Sequence, residues 1–264
     1  MASDKIETIQ TPLDLSRLRE IGDSTQGFNE RAQYVQSLTT NQTYKKRVVI
    51  FSTLRSGSTY LADQIALSGL AGAPDEWLNP LWIDAICREK YASNVKEALD
   101  WVACRASANG IFSINVQINH YIFWKKRGFD LVKWGFNDAI YLEREDKISQ
   151  AYSLAKARLY NKWDQVKAPI DTNSANQEVP IYGVLTALGD IYFWSDYFEK
   201  VLKKYVSRSI TYEEYLSNQQ IILDLIEQFS GTRLQNLPAQ SKLQRQQTSR
   251  DRDAIELLKR KINL

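Results

Sequence analysis

Arg47-Val-Val-Ile-Phe51 followed by Ser52-Thr-Leu-Arg-Ser-Gly-Ser-Thr59 changes character at one point, and that change decides the fold. The first part is a short apolar, β-branched run bounded by polar residues, the pattern of a strand buried on both faces. The second is a polar loop with one glycine and one arginine. Beyond it the spacing predicts a helix from Ser58 with Leu61, Ile65 and Leu67 or Ser68 on its buried side, stopped by Gly69.

The same alternation recurs downstream. Ala139-Ile-Tyr-Leu142 leads into a helical pattern from Asp146 to Trp163, and Ser207-Arg-Ser-Ile-Thr211 into one from Asn218 to Phe229 closed by Gly231. Further helices are predicted near Leu81 to Ser107 and over the aromatic-rich Tyr182 to Tyr205, where Trp194 and Tyr197 fall at core spacing. Strands alternating with helices imply an α/β fold, here a P-loop-like three-layer arrangement with a central, mostly parallel sheet flanked by helices. In such sheets ligands sit where strands end and helices begin. Residues 1–45 show intermittent helical spacing at Leu13, Leu15, Leu18 and Ile21 and read as an N-terminal elaboration packed on a single domain, 46–264.

The chain has 264 residues, 44% hydrophobic and 25% charged, with nothing repetitive, which excludes a disordered or disulfide-stapled protein. No apolar run is long enough to span a membrane and no basic-then-apolar leader opens the sequence, so the expectation is a cytoplasmic protein. Cys87 and Cys104 are too far apart for a Cys-x-x-Cys motif and have only His120 to join them, so buried reduced thiols are expected rather than a metal site. The net charge of +3 is unevenly spread: from Arg233 onward eight basic residues face three acidic ones, leaving the rest at −2. A basic tail on a near-neutral body suits a small polyanion better than a nucleic acid.

Chemistry concentrates in the loop after the first strand. Ser52, Thr53, Ser56, Ser58 and Thr59 offer hydroxyls, Gly57 allows close backbone approach, and Arg55 supplies a cation. With the outward N–H groups of the following helix these make an anion cradle, though a serine-rich turn that only caps a helix would read alike. The nucleotide triphosphatase pattern G-x-x-x-x-G-K-[ST] is absent, and no cysteine sits in the loop to act as a phosphatase nucleophile. At the end of the second strand Arg144 precedes Ser149 and Ser153, one turn apart, a guanidinium and hydroxyls suited to phosphate.

Arg55-Ser-Gly-Ser-Thr59 after a buried strand resembles the 5′-phosphosulfate loop of sulfotransferases, above all the bacterial trehalose 2-sulfotransferase family, which carries Arg-Ser-Gly-Ser-Thr where animal enzymes carry Lys-[ST]-Gly-Thr-Thr. The resemblance continues through Gly72-Ala-Pro-Asp-Glu-Trp77, Ile140 to Ser153 with Ala155-Lys-Ala-Arg158, Thr211-Tyr-Glu-Glu-Tyr-Leu216 and Leu243-Gln-Arg-Gln246. It covers about residue 47 to the C-terminus. It implies sulfuryl transfer from 3′-phosphoadenosine-5′-phosphosulfate, without metal, to a hydroxyl of a carbohydrate, glycolipid or related small molecule, and a possible homodimer. It further implies that Arg55, Ser56, Gly57, Ser58 and Thr59 hold the 5′ end of the donor. Arg144 and Ser153 would bind its 3′-phosphate, with Ser149 the second choice of hydroxyl and Arg245 closing the site.

A hydroxyl acceptor needs a base, and the resemblance nominates Glu76, with Trp77 offering a flat ring to a sugar and His120 as the rival base. Two positions depart from the pattern. Ser113-Ile-Asn115 stands where Gly-x-Lys is expected on a strand near the acceptor, and Leu54 replaces a polar residue before the loop arginine. They keep open an alternative, a non-catalytic nucleotide-binding or assembly protein on the same fold. A kinase would need a magnesium-binding carboxylate at a strand end, and none is found.

Overall fold

The computed structural model describes residues 13–21, 24–38, 43–160, 163, 179–237 and 249–262. Two helices open it, α1 (Leu15–Glu20) and α2 (Thr25–Ser37), each started by a side-chain cap, Asp14 and Ser24. Strand β1 (Lys46–Ser52) follows, then α3 (Ser58–Leu67), α4 (Pro80–Arg88), α5 (Val95–Ala106) and β2 (Ile111–Gln117). Helices α6 (Ile118–Lys125) and α7 (Leu131–Trp134) lead to β3 (Asp138–Glu143), and α8 (Lys147–Tyr160) and α9 (Ile181–Tyr197) follow it. A π-helical turn (Phe198–Leu202) and a 3-10 turn (Lys203–Tyr205) precede β4 (Arg208–Thr211), α10 (Tyr212–Ser217), α11 (Gln220–Ser230) and α12 (Ser249–Ile262).

The four strands form one all-parallel sheet in the order β2-β1-β3-β4. Alternate residues of each strand serve opposite faces. Val49, Phe51, Phe112, Ile114 and Tyr141 belong to a large core on one face, while Val48, Ile50, Ile140, Leu142 and Ile210 meet Leu61 and Ile65 of α3 and the apolar stripe of α11 on the other. The result is the expected three-layer α/β fold. The outer edge of β2 is not bare: Asp75 bridges to Ile114 and accepts from the Asn115 N–H, so the strand leading to Glu76 continues the sheet briefly.

Leu13, Leu15, Leu18, Phe28, Ala32 and Val35 lie in the same core as β1. A buried ion pair, Arg19 Nη1 to Asp63 Oδ1 at 2.5 Å, ties α1 to α3. At three points the structure sharpens or corrects the sequence reading. The helical pattern from Leu81 to Ser107 is two helices, because Lys90 turns left-handed (φ +60°) after α4 and Asn94 caps a new start at α5. Of the two candidates at the end of α3, Leu67 is exposed and Ser68 is half-buried. Cys87 and Cys104 are free but half-buried, and burial raises the Cys87 thiol above its usual value. Among the described residues no helix is long and apolar enough to cross a membrane.

Candidate functional site

Each strand delivers the chain to a helix at the same end of the sheet, and the four helix starts differ in how their free N–H groups are used. At α10 a capping box between Thr211 and Glu214 satisfies them. At α8 the Asp146 carboxylate accepts from the Ser149 N–H and hydroxyl, and Glu213 accepts from the N–H groups of Glu145 and Asp146. Helices α3 and α6 have no side-chain cap, and they follow the neighbouring strands β1 and β2. Two positive helix ends therefore open side by side.

The loop over α3 is built for close approach. Gly57 is its N-cap, left-handed at φ +87°, and a Cβ there would lie 2.3 Å from the Tyr212 ring and 2.4 Å from the Tyr215 hydroxyl. The Tyr215 hydroxyl donates to the Gly57 carbonyl at 2.9 Å. Arg55 is also left-handed, at φ +64°, a conformation that costs a non-glycine residue energy and is held by its surroundings. Its Nε donates to Ser153 Oγ of α8 at 3.0 Å and its Nη1 to the Trp163 carbonyl, beyond the end of α8, at 2.6 Å, so the guanidinium is anchored at two points. Gln150 of α8 fixes the start of the loop, donating to Thr53 Oγ1 and the Leu54 carbonyl. Ser56 is fully buried, and its hydroxyl has no hydrogen-bond partner. An orphaned hydroxyl inside a loop at an uncapped helix end is the feature an oxyanion would satisfy.

Glu76 stands beside this loop. Gln117, the last residue of β2, donates through one amide nitrogen to Glu76 Oε1 at 2.9 Å and to Ser58 Oγ at 3.0 Å, joining the carboxylate to the first residue of α3. Two residues back, Asn115 Oδ1 accepts from Ser52 Oγ at 3.0 Å, so the departure from Gly-x-Lys is a buried neutral amide. Neither Gln117 nor Gln150 is nominated by the sequence reading. Polar residues at Ser113, Asn115 and Gln117, alternating with Phe112, Ile114 and Val116, were the available signal.

Arg144 lines a cleft of about 610 Å³ with Ser149, Tyr212, Glu213, Arg252 and Lys259 among its walls. Its guanidinium lies 4.8 Å from the centre of the Tyr212 ring, and its buried Nε has no hydrogen-bond partner, with Glu213 Oε1 3.9 Å away. Lys259 of α12 reaches Asp146 at 3.0 Å. Burial works against that carboxylate, yet the Ser149 bonds and Lys259 hold it below its ordinary value.

The structure sets the two serines apart. Ser149 lines the cleft with Arg144, while Ser153, one turn further, faces Arg55 instead. Trp77 does not present a ring to a substrate: it is fully buried against Trp82, with its indole N–H donated to the Ala73 carbonyl. Thr59 is half-buried in the first turn of α3. Arg245 and the Leu243 to Gln246 stretch lie outside the described residues.

His120 lies in the first turn of α6, and burial pushes it down to about 4. It is the chain's single histidine, so its linkage to folding is directly readable. Because the folded-state value lies below the ordinary 6.5, the unfolded chain takes up the proton first as pH falls. Stability is complete above pH 6.5 and declines toward pH 4. Urea denaturation is expected to show roughly 1–2 kcal/mol lost between pH 7 and pH 5. His120→Gln should remove most of that slope.

No model of a known protein family matches this chain, and no curated protein matches it.

Proposed function

We propose that the protein transfers a sulfuryl group from 3′-phosphoadenosine-5′-phosphosulfate to a hydroxyl of a carbohydrate, glycolipid or related small molecule. The observation that carries this reading is the uncapped start of α3, with the orphaned Ser56 hydroxyl inside its loop and the Glu76 carboxylate joined to Ser58 through Gln117. An anion cradle with a carboxylate at its rim suits transfer of an anionic group to a neutral O–H.

In this reading the loop N–H groups and Ser56 hold the sulfate and 5′-phosphate oxygens, and Arg55, already oriented by Ser153, adds fixed positive charge. Such donors cost no reorganisation as charge develops. Glu76 takes the acceptor proton while the acceptor oxygen bonds to sulfur. The bond from sulfur to the 5′-phosphate oxygen breaks, and adenosine 3′,5′-bisphosphate leaves. The cleft beneath Arg144 takes the 3′-phosphate, where the unpartnered Nε and the nearby Arg252 and Lys259 offer donors.

Calorimetry tests the donor assignment. Adenosine 3′,5′-bisphosphate is expected to bind, and Arg144→Ala to weaken it about 10- to 100-fold, the worth of one charge-assisted hydrogen bond. Adenosine 5′-phosphosulfate, which lacks the 3′-phosphate, should bind both forms alike. Equal loss for both ligands would remove Arg144 from the site. The buried, neutral Asn115 favours a second reading, a donor-binding protein without turnover. That reading predicts the same binding but no sulfated product from any acceptor.

A further inference from the structure

The seat proposed for the 3′-phosphate already holds a carboxylate. Glu213 stands in the first turn of α10, whose own start is served by the capping box between Thr211 and Glu214. Its side chain crosses instead to the helix that follows the neighbouring strand β3. There Oε2 accepts from the Glu145 N–H at 3.0 Å and Oε1 from the Asp146 N–H at 3.3 Å. Those N–H groups lie at the positive head of α8, the kind of donor that also receives a ligand's phosphate.

Arg144 belongs to this group without being satisfied by it. Its Nε lies 3.9 Å from Glu213 Oε1, close enough to attract and too far for a hydrogen bond, and has no hydrogen-bond partner among the described residues. That nitrogen is buried, so water does not replace the missing acceptor. Glu213 therefore takes up part of the seat's donors and leaves one unused. A phosphate approaching Arg144 meets a negative charge at short range.

The remaining charges point the same way. Arg144, Arg252 and Lys259 on the cleft wall are matched by Asp146, Glu213 and Glu256, so the lining sums to zero. Lys259 is held by Asp146 at 3.0 Å and by Glu256 at 3.3 Å, and Asp146 is fixed further by the Ser149 N–H and hydroxyl. Glu213 is placed differently. Its side chain is 34% exposed and turns about single bonds, so it can swing out to water while the capping box holds the backbone of α10.

We infer that Glu213 competes with the ligand for this seat: the incoming phosphate displaces its carboxylate from Arg144 and the α8 N–H groups, and the carboxylate returns as the ligand leaves. The inference rests on the reading of the Arg144 cleft as the 3′-phosphate site and adds a regulation to it. The bisphosphate is held less tightly than the cations alone would hold it. Because affinity differences between related complexes fall mostly on dissociation, the competitor shortens its stay and clears the cleft for the next donor.

Calorimetry with adenosine 3′,5′-bisphosphate and adenosine 5′-phosphosulfate tests the competition. Glu213→Gln keeps the size and one acceptor oxygen but removes the charge. It should tighten the bisphosphate about 10-fold, the effect of taking a like charge away from a partly solvated ion site, and leave adenosine 5′-phosphosulfate unchanged. Glu213→Ala, which removes the acceptor as well, should act in the same direction. Bisphosphate affinity that falls or stays constant in both variants, while Arg144→Ala still weakens it, overturns the inference and leaves the site standing. Equal tightening of both ligands does the same. Inorganic phosphate supplies a test independent of the nucleotide: it should raise the melting temperature of Glu213→Gln more than that of the native protein, and adding Arg144→Ala should abolish the difference. That result without any nucleotide binding would retire the nucleotide assignment and keep the competition. No difference under phosphate, and no nucleotide bound, overturns both.

Discussion

Glu76→Gln is expected to lower turnover about 100-fold or more while leaving the affinity for adenosine 3′,5′-bisphosphate unchanged. The amide matches the carboxylate in size, and its carbonyl can still accept from Gln117, so the link to Ser58 survives. What disappears is the capacity to take a proton, which matters only as the acceptor O–H is broken. Steady-state kinetics on an established acceptor, with calorimetry on the bisphosphate, separates this from a structural role, which would lower binding, stability and rate together. His120→Asn is the companion variant and should leave the chemical step intact. Full turnover in Glu76→Gln would remove Glu76 as the base.

Gly57→Ala is expected to destabilise the fold by about 2–4 kcal/mol and to abolish detectable bisphosphate binding. Alanine meets two penalties there. The left-handed backbone at φ +87° disfavours any side chain, and the new Cβ falls 2.3–2.6 Å from Tyr212 and Tyr215. Tyr215 is fully buried and cannot retreat, so Tyr212 must swing away, and with it the ring beside which Arg144 sits. Both ends of the proposed donor site are then disturbed by one methyl group. Gly69→Ala isolates the first penalty, since Gly69 is also left-handed at φ +67° but a Cβ there meets nothing. It should cost about 1 kcal/mol and leave binding intact. Urea denaturation and calorimetry on both variants check the pair, and bisphosphate binding to Gly57→Ala at wild-type affinity would take the anion site away from this loop.

Strands β1 and β3 were legible because apolar, β-branched residues facing both sides leave no ambiguity, and the stop at Gly231 because a left-handed C-terminus selects glycine. Strand β2 was harder. Its polar residues suggest a solvent-facing side, yet all seven residues are buried, since Ser113 bonds the Ala71 carbonyl, Asn115 accepts from Ser52, and Gln117 reaches Ser58 and Glu76. Local pattern cannot show whether a polar side chain meets water or a partner brought in by a crossover. The same limit hid Tyr212, which lies against Gly57 only because β4 and α10 return to that end of the sheet. Trp77 misled for the opposite reason: a tryptophan beside a turn reads as accessible, and only packing on Trp82 shows that it is interior.

The ion pair between Arg19 and Asp63 reaches beyond the helix it steadies. Asp63 lies on α3, the helix whose start forms the anion cradle, and is 3% exposed. Without Arg19 it would be a carboxylate shut away from water with its cationic partner gone, a loss of about 3–5 kcal/mol in comparable settings. Removing α1 and α2 would also uncover the core surface that Leu18, Phe28 and Val35 cover. The portable unit of this architecture therefore begins near Leu13 rather than at β1. A graft, fusion or recombination event that moved the loop-bearing sheet into another protein would have to carry α1 and α2 along, which makes the opening helices part of what is inherited with the site.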